Sequence, residues 1–488
     1  MPTSNKLQRI LIKGGVLSPS ELKQIIAMGS ALGLKSLSFG SRQDIILPFK
    51  EGQESILAQF PAIDIETIPN KKHQNITCSY AASDILPATP WLGSATYLYI
   101  LEQFRNKTTL EINVTDPKQR LVPLFTGHLN FIASHHEDYW YLYIKLPNWD
   151  KHQLYPILIY TWDIGKVAAM IEAHCLDLLK AKDIFEAVNQ LVDTSNNRTI
   201  DKKLEIPFVI FPYYEGMNRS GNDNNYWLGL YWRNNDYYLD FLDALCDLCL
   251  ACKIGKICIT PWKSIIVKGI HEFYKLQWEK LLGKFGINVR HSLLELNWHL
   301  PVANQAALDL KRFIVRNFDQ NDISTYGLTF GISSTYGKNF TAIVIQENPK
   351  PQVAITYDIR PTYNILYAKN FDPNTLHYLT YAQDVDKIEL PGLLMELSRL
   401  FYEQLGEAPT LSELPVETNN QPTTPSRVIN QCMDCLTIYE EKYGNQDQQI
   451  APNTPFEQLP NNFVCPVCEG EIGNFRKVIL EKEDQVII

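Results

Sequence analysis

The chain has 488 residues, 45% hydrophobic and 20% charged, with a net charge of −9; this leaves room for three or four domains with sizeable cores. The acidic balance, with no cluster of Lys and Arg, excludes a nucleic-acid partner, and no stretch of about twenty apolar residues lacks a charge or a proline, so no membrane span is expected. The start, MPTSNKLQRILIKGG, carries no apolar run followed by a small-residue cleavage site, so the expected compartment is cytoplasmic, where the ten cysteines are read as metal ligands or as core.

The first element in chain order is a helix in SPSELKQIIAMGSALG, with Ser18 as N-cap, Glu21 three residues later and an apolar i, i+3, i+4 period. LKSLSFGSRQDIIL, residues 34 to 47, then alternates as a strand with inward Leu37 and Phe39, a polar turn, and an Ile-Ile pair. His135-His136-Glu137-Asp138 sits between two strand-like runs and is read as a polar hairpin turn in preference to a divalent-cation site. The aromatic runs YWYLYIKL (139 to 146) and NYWLGLYW (225 to 232) alternate like strands and are read as core.

A second helix follows in YLDFLDALCDLCLA, and then IGKICITPWKSIIV at 254 to 267. Its Ile257 and Ile259 match Leu37 and Phe39 at an offset of 220, again with a polar turn and an Ile-Ile pair. Strand, turn, strand and helix repeated at this distance predict an α+β body made by duplication. Cys246, Cys249, Cys252 and Cys258 superficially imitate ferredoxin spacing, but Cys246 and Cys249 lie among Leu242, Leu245, Leu248 and Leu250, where cysteine behaves as a small buried hydrophobe. GISSTYGKN at 331 to 339 lacks P-loop spacing, and neither a dinucleotide fingerprint nor a G-x-S-x-G elbow is present. No catalytic residue is assigned.

EAPTLSELPVETNNQPTTPSRVINQ is rich in Pro, Thr and Asn without apolar period and reads as a linker. Beyond it, CMDC and CPVC place Cys432, Cys435, Cys465 and Cys468 as four thiolates in two tight turns, a set that surrounds one tetrahedral ion. Iron and zinc both accept such a cage, so the cysteines alone leave the metal open. Tyr439, Tyr443, Phe456, Phe463 and Phe475 supply the aromatic core that so small a unit needs beside its metal. Between 428 and 475 seven acidic residues face one lysine, so this segment carries most of the negative charge, which reads either as a surface that steers toward a basic partner or as a solvated face.

IYEEKYGNQDQQIAPNTPFEQLPNNFVCPVC resembles rubredoxin, from Tyr439 through the acidic-Gly loop, Ala451-Pro452-Asn453-Thr454-Pro455-Phe456 and Leu459-Pro460 to Phe463 before Val464-Cys465-Pro466. The resemblance covers about residues 428 to 480. It implies one iron ion held by the four cysteines, cycling between Fe3+ and Fe2+. The usual glycine after each cysteine pair is Leu436 and Glu469 here; a left-handed backbone there would cost about 1–2 kcal/mol.

The segment ILIKGGVLSPSELKQIIAMGSALGLKSLSFGSRQDI and its counterpart ICITPWKSIIVKGI resemble the ferredoxin-like half-domains of the sirohaem nitrite and sulfite reductases. TTLEINVTDPKQRLVPLFTGHLNFIAS resembles that family's first haem-side domain. This resemblance covers about residues 8 to 400 and implies sirohaem coupled to a [4Fe–4S] cluster. Between Cys258 and Cys432 there is no cysteine, so no [4Fe–4S] cluster is expected. Sirohaem carries eight carboxylates and demands Arg and Lys; Arg42 and Lys263 match the family's pattern, whereas Glu111 falls where a base belongs, and sirohaem is not the favoured expectation.

The sequence thus predicts ferredoxin-like copies at 1–70 and 201–300, haem-side-like domains at 71–200 and 301–405, a linker at 406–427 and a rubredoxin-like domain at 428–482. The favoured function is electron transfer to a redox protein partner from a tethered iron centre. Its rivals are a divergent sirohaem reductase fed by its own rubredoxin and a zinc-stabilised interaction module. Oligomeric state is not legible.

Overall fold

The computed structural model describes residues 6–68, 72–147, 149–174, 180–193, 195–221, 224–289, 294–333, 339–349, 360–406, 427–433, 437–439, 441, 444–445, 448, 450–460, 462–468 and 470–480. The chain divides into two compact units, Met1–Ala408 and Pro409–Ile488. Of the stretch read as a linker, residues 407–426 lie outside the described residues, as do Cys435, Leu436, Tyr443 and Glu469, while the end of that stretch, RVINQ, is corrected to a strand, Arg427–Cys432.

The body is mixed α and β, and duplicated. Its first sheet runs in the order Tyr237–Tyr238, Ser36–Phe39, Ile45–Phe49, Lys6–Ile10, Ile65–Ile68. Another runs Val16–Leu17, Ile257–Ile259, Ser264–His271, Asn225–Tyr231, Gly216–Arg219. An offset of 220 carries the first four strands of one sheet onto those of the other, and the helix Pro19–Ala31 onto Leu239–Ala251. Lys23 meets its own counterpart, Asp243, at 2.7 Å. A residue that touches its symmetry mate lies beside the axis, so the internal two-fold passes between these two helices.

The halves are interlocked by exchange. Val16–Leu17 pairs with Ile257–Ile259 of the second half, while Tyr237–Tyr238 pairs with Ser36–Phe39 of the first. Each half supplies a two-residue strand that covers the edge of the other's sheet, and edge strands this short offer little to a foreign strand. One core fills the space between the sheets and helices, with Leu22, Ile26, Leu37 and Leu47 packed among Leu228, Leu242, Leu245 and Ile265.

Local sequence explains the elements. Ser18 accepts a hydrogen bond from the Glu21 N–H at 3.1 Å, and the Ser18 N–H donates to the Glu21 carboxylate at 2.6 Å, so the capping box reads directly from the sequence. The polar turns after Phe39 and Ile259 place Gln43 and Lys263 at φ 59° and 60°, the same left-handed conformation in both copies.

The remaining elements form two more sheets. Ile76–Cys78, Ile112–Thr115 and Leu129–Ala133 run parallel and Tyr139–Ile144 returns antiparallel. Trp298–His299, Phe330–Ser333, Ile343–Glu347 and Tyr363–Ala368 repeat that pattern. Both aromatic runs are strands, with Trp140, Leu142, Trp227 and Leu228 buried. The tail is a small three-stranded sheet of Ile438–Tyr439, Arg427–Cys432 and Phe475–Leu480. Among the described residues no helix is long and apolar enough to cross a membrane.

Gly229 sits mid-strand, where a Cβ would lie 1.7 Å from the Tyr214 carbonyl oxygen, a backbone atom that cannot swing aside. Gly229→Ala is expected to lower the stability of the body by about 1–3 kcal/mol, read as a lower midpoint in chemical denaturation followed by tryptophan fluorescence.

Candidate metal centre

The two CxxC turns sit on matching hairpins. Gln431 pairs with Ile438 across the first and Val464 with Glu471 across the second, and the N–H groups of Cys432 and Cys465 each donate to the carbonyl five residues on, at 2.8 Å to Thr437 and 2.8 Å to Gly470. Pairing Cys432 with Phe475 then fixes the first hairpin on the tail sheet.

The ligand atoms of Cys432, Cys465 and Cys468 lie within 4.8 Å of one another, and the Sγ atoms of Cys432 and Cys468 are 3.7 Å apart. A disulfide requires about 2.0 Å. Metal–sulfur bonds of about 2.3 Å in a tetrahedron set sulfur–sulfur edges of about 3.8 Å, so the spacing is that of ligands to a shared ion. Cys432 and Cys465 are fully buried and Cys468 is exposed, which gives the centre one side turned to solvent.

Four rings form a closed circuit beside the sulfurs. Tyr439 meets Phe456 at 5.7 Å and Phe463 at 5.6 Å, and Phe475 closes the circuit at 5.3 Å to Phe456 and 6.0 Å to Phe463. The Tyr439 hydroxyl donates to the Thr454 carbonyl at 3.0 Å, and burial, with Glu441 nearby, raises its pKa. Gly444 has φ 63°, and a Cβ there would lie 2.5 Å from the Ile450 carbonyl oxygen, so the loop needs glycine.

Gln448 is a residue that sequence reasoning passed over. Its amide donates to the Val464 carbonyl at 2.8 Å and accepts from the Val464 N–H at 3.0 Å, imitating a neighbouring strand at the residue before Cys465. No motif announces it, because its partner lies sixteen residues away.

Among the other described cysteines, Cys78, Cys246, Cys249 and Cys258 are buried packing residues. Cys246 and Cys249 are buried in the core between the two halves, where burial pushes the Cys246 thiol up to about 12 and raises Cys249 further. Cys258 faces a different core, with Trp227 and Ile266. His135 and His136 lie in the hairpin turn and share Asp201, at 3.6 and 2.9 Å; Asp201 is brought there by the fold and was not legible beside them.

Four buried or half-buried cations of the body are bonded to the protein, and a fifth, Lys263, lines a cleft. Arg42 donates to the carbonyls of Asn75 and Ile112 and to Asn113 Oδ1, with Glu111 close enough to favour its charge. Arg9 is held by the His73 carbonyl and Asp44, Arg120 by Asp372 at 2.7 Å, and Lys268 by the carbonyls of Tyr80 and Ser83. Sirohaem would need such groups free for its carboxylates. Arg42 and Lys268 are taken up by the chain in this way, while Arg120 Nε and Nη2 are buried without a hydrogen-bond partner among the described residues.

A family model, Rubredoxin, matches residues 430–475. The chain is 45% identical over 42 residues to Probable Rubredoxin-1 of Methanocaldococcus jannaschii, 9% of this chain and 52% of that protein, so it spans about half of that relative. It is 40% identical over 48 residues to Rubredoxin-1 of Chlorobaculum tepidum, 10% of this chain and 70% of that one. Among solved structures, the Mycobacterium tuberculosis NirA protein superposes with a TM-score of 0.63 at 14% identity, covering 83% of this chain and 82% of that one. This likeness is one of fold, and the body has the nitrite/sulfite reductase-like fold.

Gln448→Ala removes both hydrogen bonds to Val464 and is expected to destabilise the second hairpin by about 1–3 kcal/mol. The check is faster metal release from the full chain to a chelator, with the ultraviolet circular dichroism of the body unchanged.

Proposed function

The chain belongs to the rubredoxin family through its C-terminal unit, and we propose that it is an electron carrier whose iron–tetrathiolate centre is tethered to a nitrite/sulfite reductase-like scaffold that holds no cluster. The observation that carries this is the convergence of Cys432, Cys465 and Cys468 at metal–ligand spacing beside the aromatic circuit. Cys435 is the fourth ligand of the proposed set, supplied by the same turn as Cys432. Bound iron supplies one-electron exchange between Fe3+ and Fe2+.

The chain's own residues set how that exchange is used. Phe463 and Tyr439 exclude water from one side of the sulfurs, which limits reorganisation and tunes the potential. Exposed Cys468, with Met433 and Val467 also exposed, marks the side where an electron enters or leaves. Glu441, Glu457 and Glu471 are exposed on this unit, and Glu457 is paired with Lys477 at 2.6 Å. Rubredoxin implies a redox partner, and this surface favours one with a basic docking face.

We read the body as ferredoxin-like copies at 1–70 and 201–300 and haem-side-like domains at 71–200 and 301–405, with the linker at 406–427 and the iron unit at 428–482. In this reading the body recognises a partner or ligand and is not assigned catalysis.

Aerobically purified full-length protein is expected to show ferric-thiolate absorbance and about one iron per chain; zinc without that absorbance, after growth in iron-replete medium, overturns the reading. Electron exchange with a basic reductase is expected to slow as salt rises from about 0.01 to 0.15 M, where the Debye length falls from about 30 to 8 Å, measured by stopped-flow bleaching of the ferric band. A rate independent of salt would reject the acidic docking face.

A further inference from the structure

The internal two-fold provides a control for every interface in the body, and one pair of equivalent interfaces differs. The outer face of the sheet containing Asn225–Tyr231 is filled: Trp227, Cys258 and Ile266 join the neighbouring core, and Lys268 spans to the carbonyls of Tyr80 and Ser83 with its ammonium over the Tyr80 ring. Their counterparts at the offset of 220 are Leu7, Ser38, Ile46 and Pro48. All four line a cleft of about 570 Å³, whose opposite wall includes Trp298 and Leu300. Smaller side chains on one copy have opened what the other copy closes.

The turn at the cleft has changed in the same asymmetric way. Gln43 is buried and fully used: its amide donates to the carbonyls of Cys78 and Ile259 and accepts from the Cys78 N–H. Its counterpart, Lys263, has the same left-handed backbone and is also buried, yet its ammonium has one described acceptor, the Leu300 carbonyl. An ammonium carries three donors, so two remain for the cleft. Of the other two lysines on the lining, Lys35 is exposed, and buried Lys311 donates to Glu295 at 3.1 Å and to the Tyr231 hydroxyl at 2.8 Å. Glu295 is itself shared with Arg233 at 2.7 Å. Asp236 on the lining is held by Ser36 and partly buried, and Asp44 near Lys263 is paired with Arg9. Around Lys263 the cations therefore outnumber the carboxylates free to answer them.

We infer that this cleft binds a small organic anion with a flat apolar body, its acidic group on the Lys263 ammonium and its body along Trp262, Trp298 and Ile46. The volume lies within the range of small-molecule sites, about 300–1,000 Å³, and the lining combines apolar walls with a few converging polar groups. An anion would supply the acceptors that Lys263 lacks and offset the burial of its charge. Burial and the nearby Lys311 push the Lys263 pKa down to about 7 without a ligand, and burial with Lys263 nearby keeps His299 neutral, its pKa pushed down to about 3. The inference concerns the body alone and does not depend on which metal the C-terminal unit holds.

Pyridoxal 5′-phosphate is a probe with the required shape, an aromatic anion bearing an aldehyde. Its carbonyl carbon and the Lys263 nitrogen form C=N with loss of water; borohydride then gives hydride to the carbon, water protonates the nitrogen, and a secondary amine remains. With full-length protein at pH about 7.5, peptide mass mapping is expected to place label on Lys263 at about tenfold or more above exposed lysines, whose pKa near 10.4 leaves them almost wholly protonated. Excess 1-naphthoate should protect Lys263 selectively, and Leu7→Trp, which restores the indole of the other copy, should abolish its labelling. Label spread over surface lysines with Lys263 spared, or Lys263 labelling indifferent to naphthoate, overturns the inference whether or not the variant folds.

Discussion

A positive charge taken out of water must find an acceptor, and this constraint organises the body. Arg9, Arg42 and Lys268 find theirs in backbone carbonyls, and Arg9 and Arg120 in carboxylates. The donors that tie turns to neighbouring sheets are thereby consumed; Arg42 alone joins the turn after Phe39 to two strands of the next domain. Truncating such a group leaves its acceptors buried and unpaired, which costs more than the hydrogen bond contributes. Arg42 and Lys268 are thereby assigned to packing, whereas the Lys263 ammonium keeps donors for its cleft and Arg120 Nε and Nη2 stay without a described partner.

Duplication makes that reassignment visible. Gln43 and Lys263 share a left-handed backbone and differ in chemistry, and Leu7 and Trp227 occupy equivalent strands, the second at a β-bulge that the first lacks. Strand exchange between Val16–Leu17 and Tyr237–Tyr238 binds the halves into one core, so the inward faces of the half-domains are not free to vary independently: Leu37 and Ile257, or Leu47 and Val267, must pack against each other's helices. The outward faces carry no such mutual demand. There Trp227 and Lys268 fill one interface, while Leu7 and Pro48 leave the other open.

The legible part of the structure was local. Ser18 and Glu21 announce their capping box within four residues, the apolar periods mark the helices Pro19–Ala31 and Leu239–Ala251, and the offset repeat gives the duplicated architecture. The tail's Cys432, Cys465 and Cys468 and its aromatic shell were legible because a small iron unit has few ways to assemble. What escaped depends on distant partners: the strand exchange, the Gln448 clamp on Val464, Asp201 beside His136, and the loss of acceptors around Lys263. Arg42 has a position that matches a cofactor-binding pattern, and its guanidinium holds carbonyls of the chain, partners that the motif alone did not disclose.

The C-terminal unit solves the opposite problem from the body. Its buried apolar residues are Tyr439, Ile450, Leu459 and Phe463, supported by Phe456, Ile472 and Phe475. So small a core falls short of the ordering entropy of about fifty residues, and a metal bound only in the folded arrangement supplies the difference through linkage. Redox chemistry and stability therefore rest on the same sulfur atoms. In the folded unit the two CxxC hairpins are held by matching backbone hydrogen bonds and the Gln448 clamp, and the aromatic circuit restricts how far the thiolates relax when the charge of the ion changes. A cage that moves little between oxidation states needs little reorganisation to exchange an electron, which is the property a carrier requires.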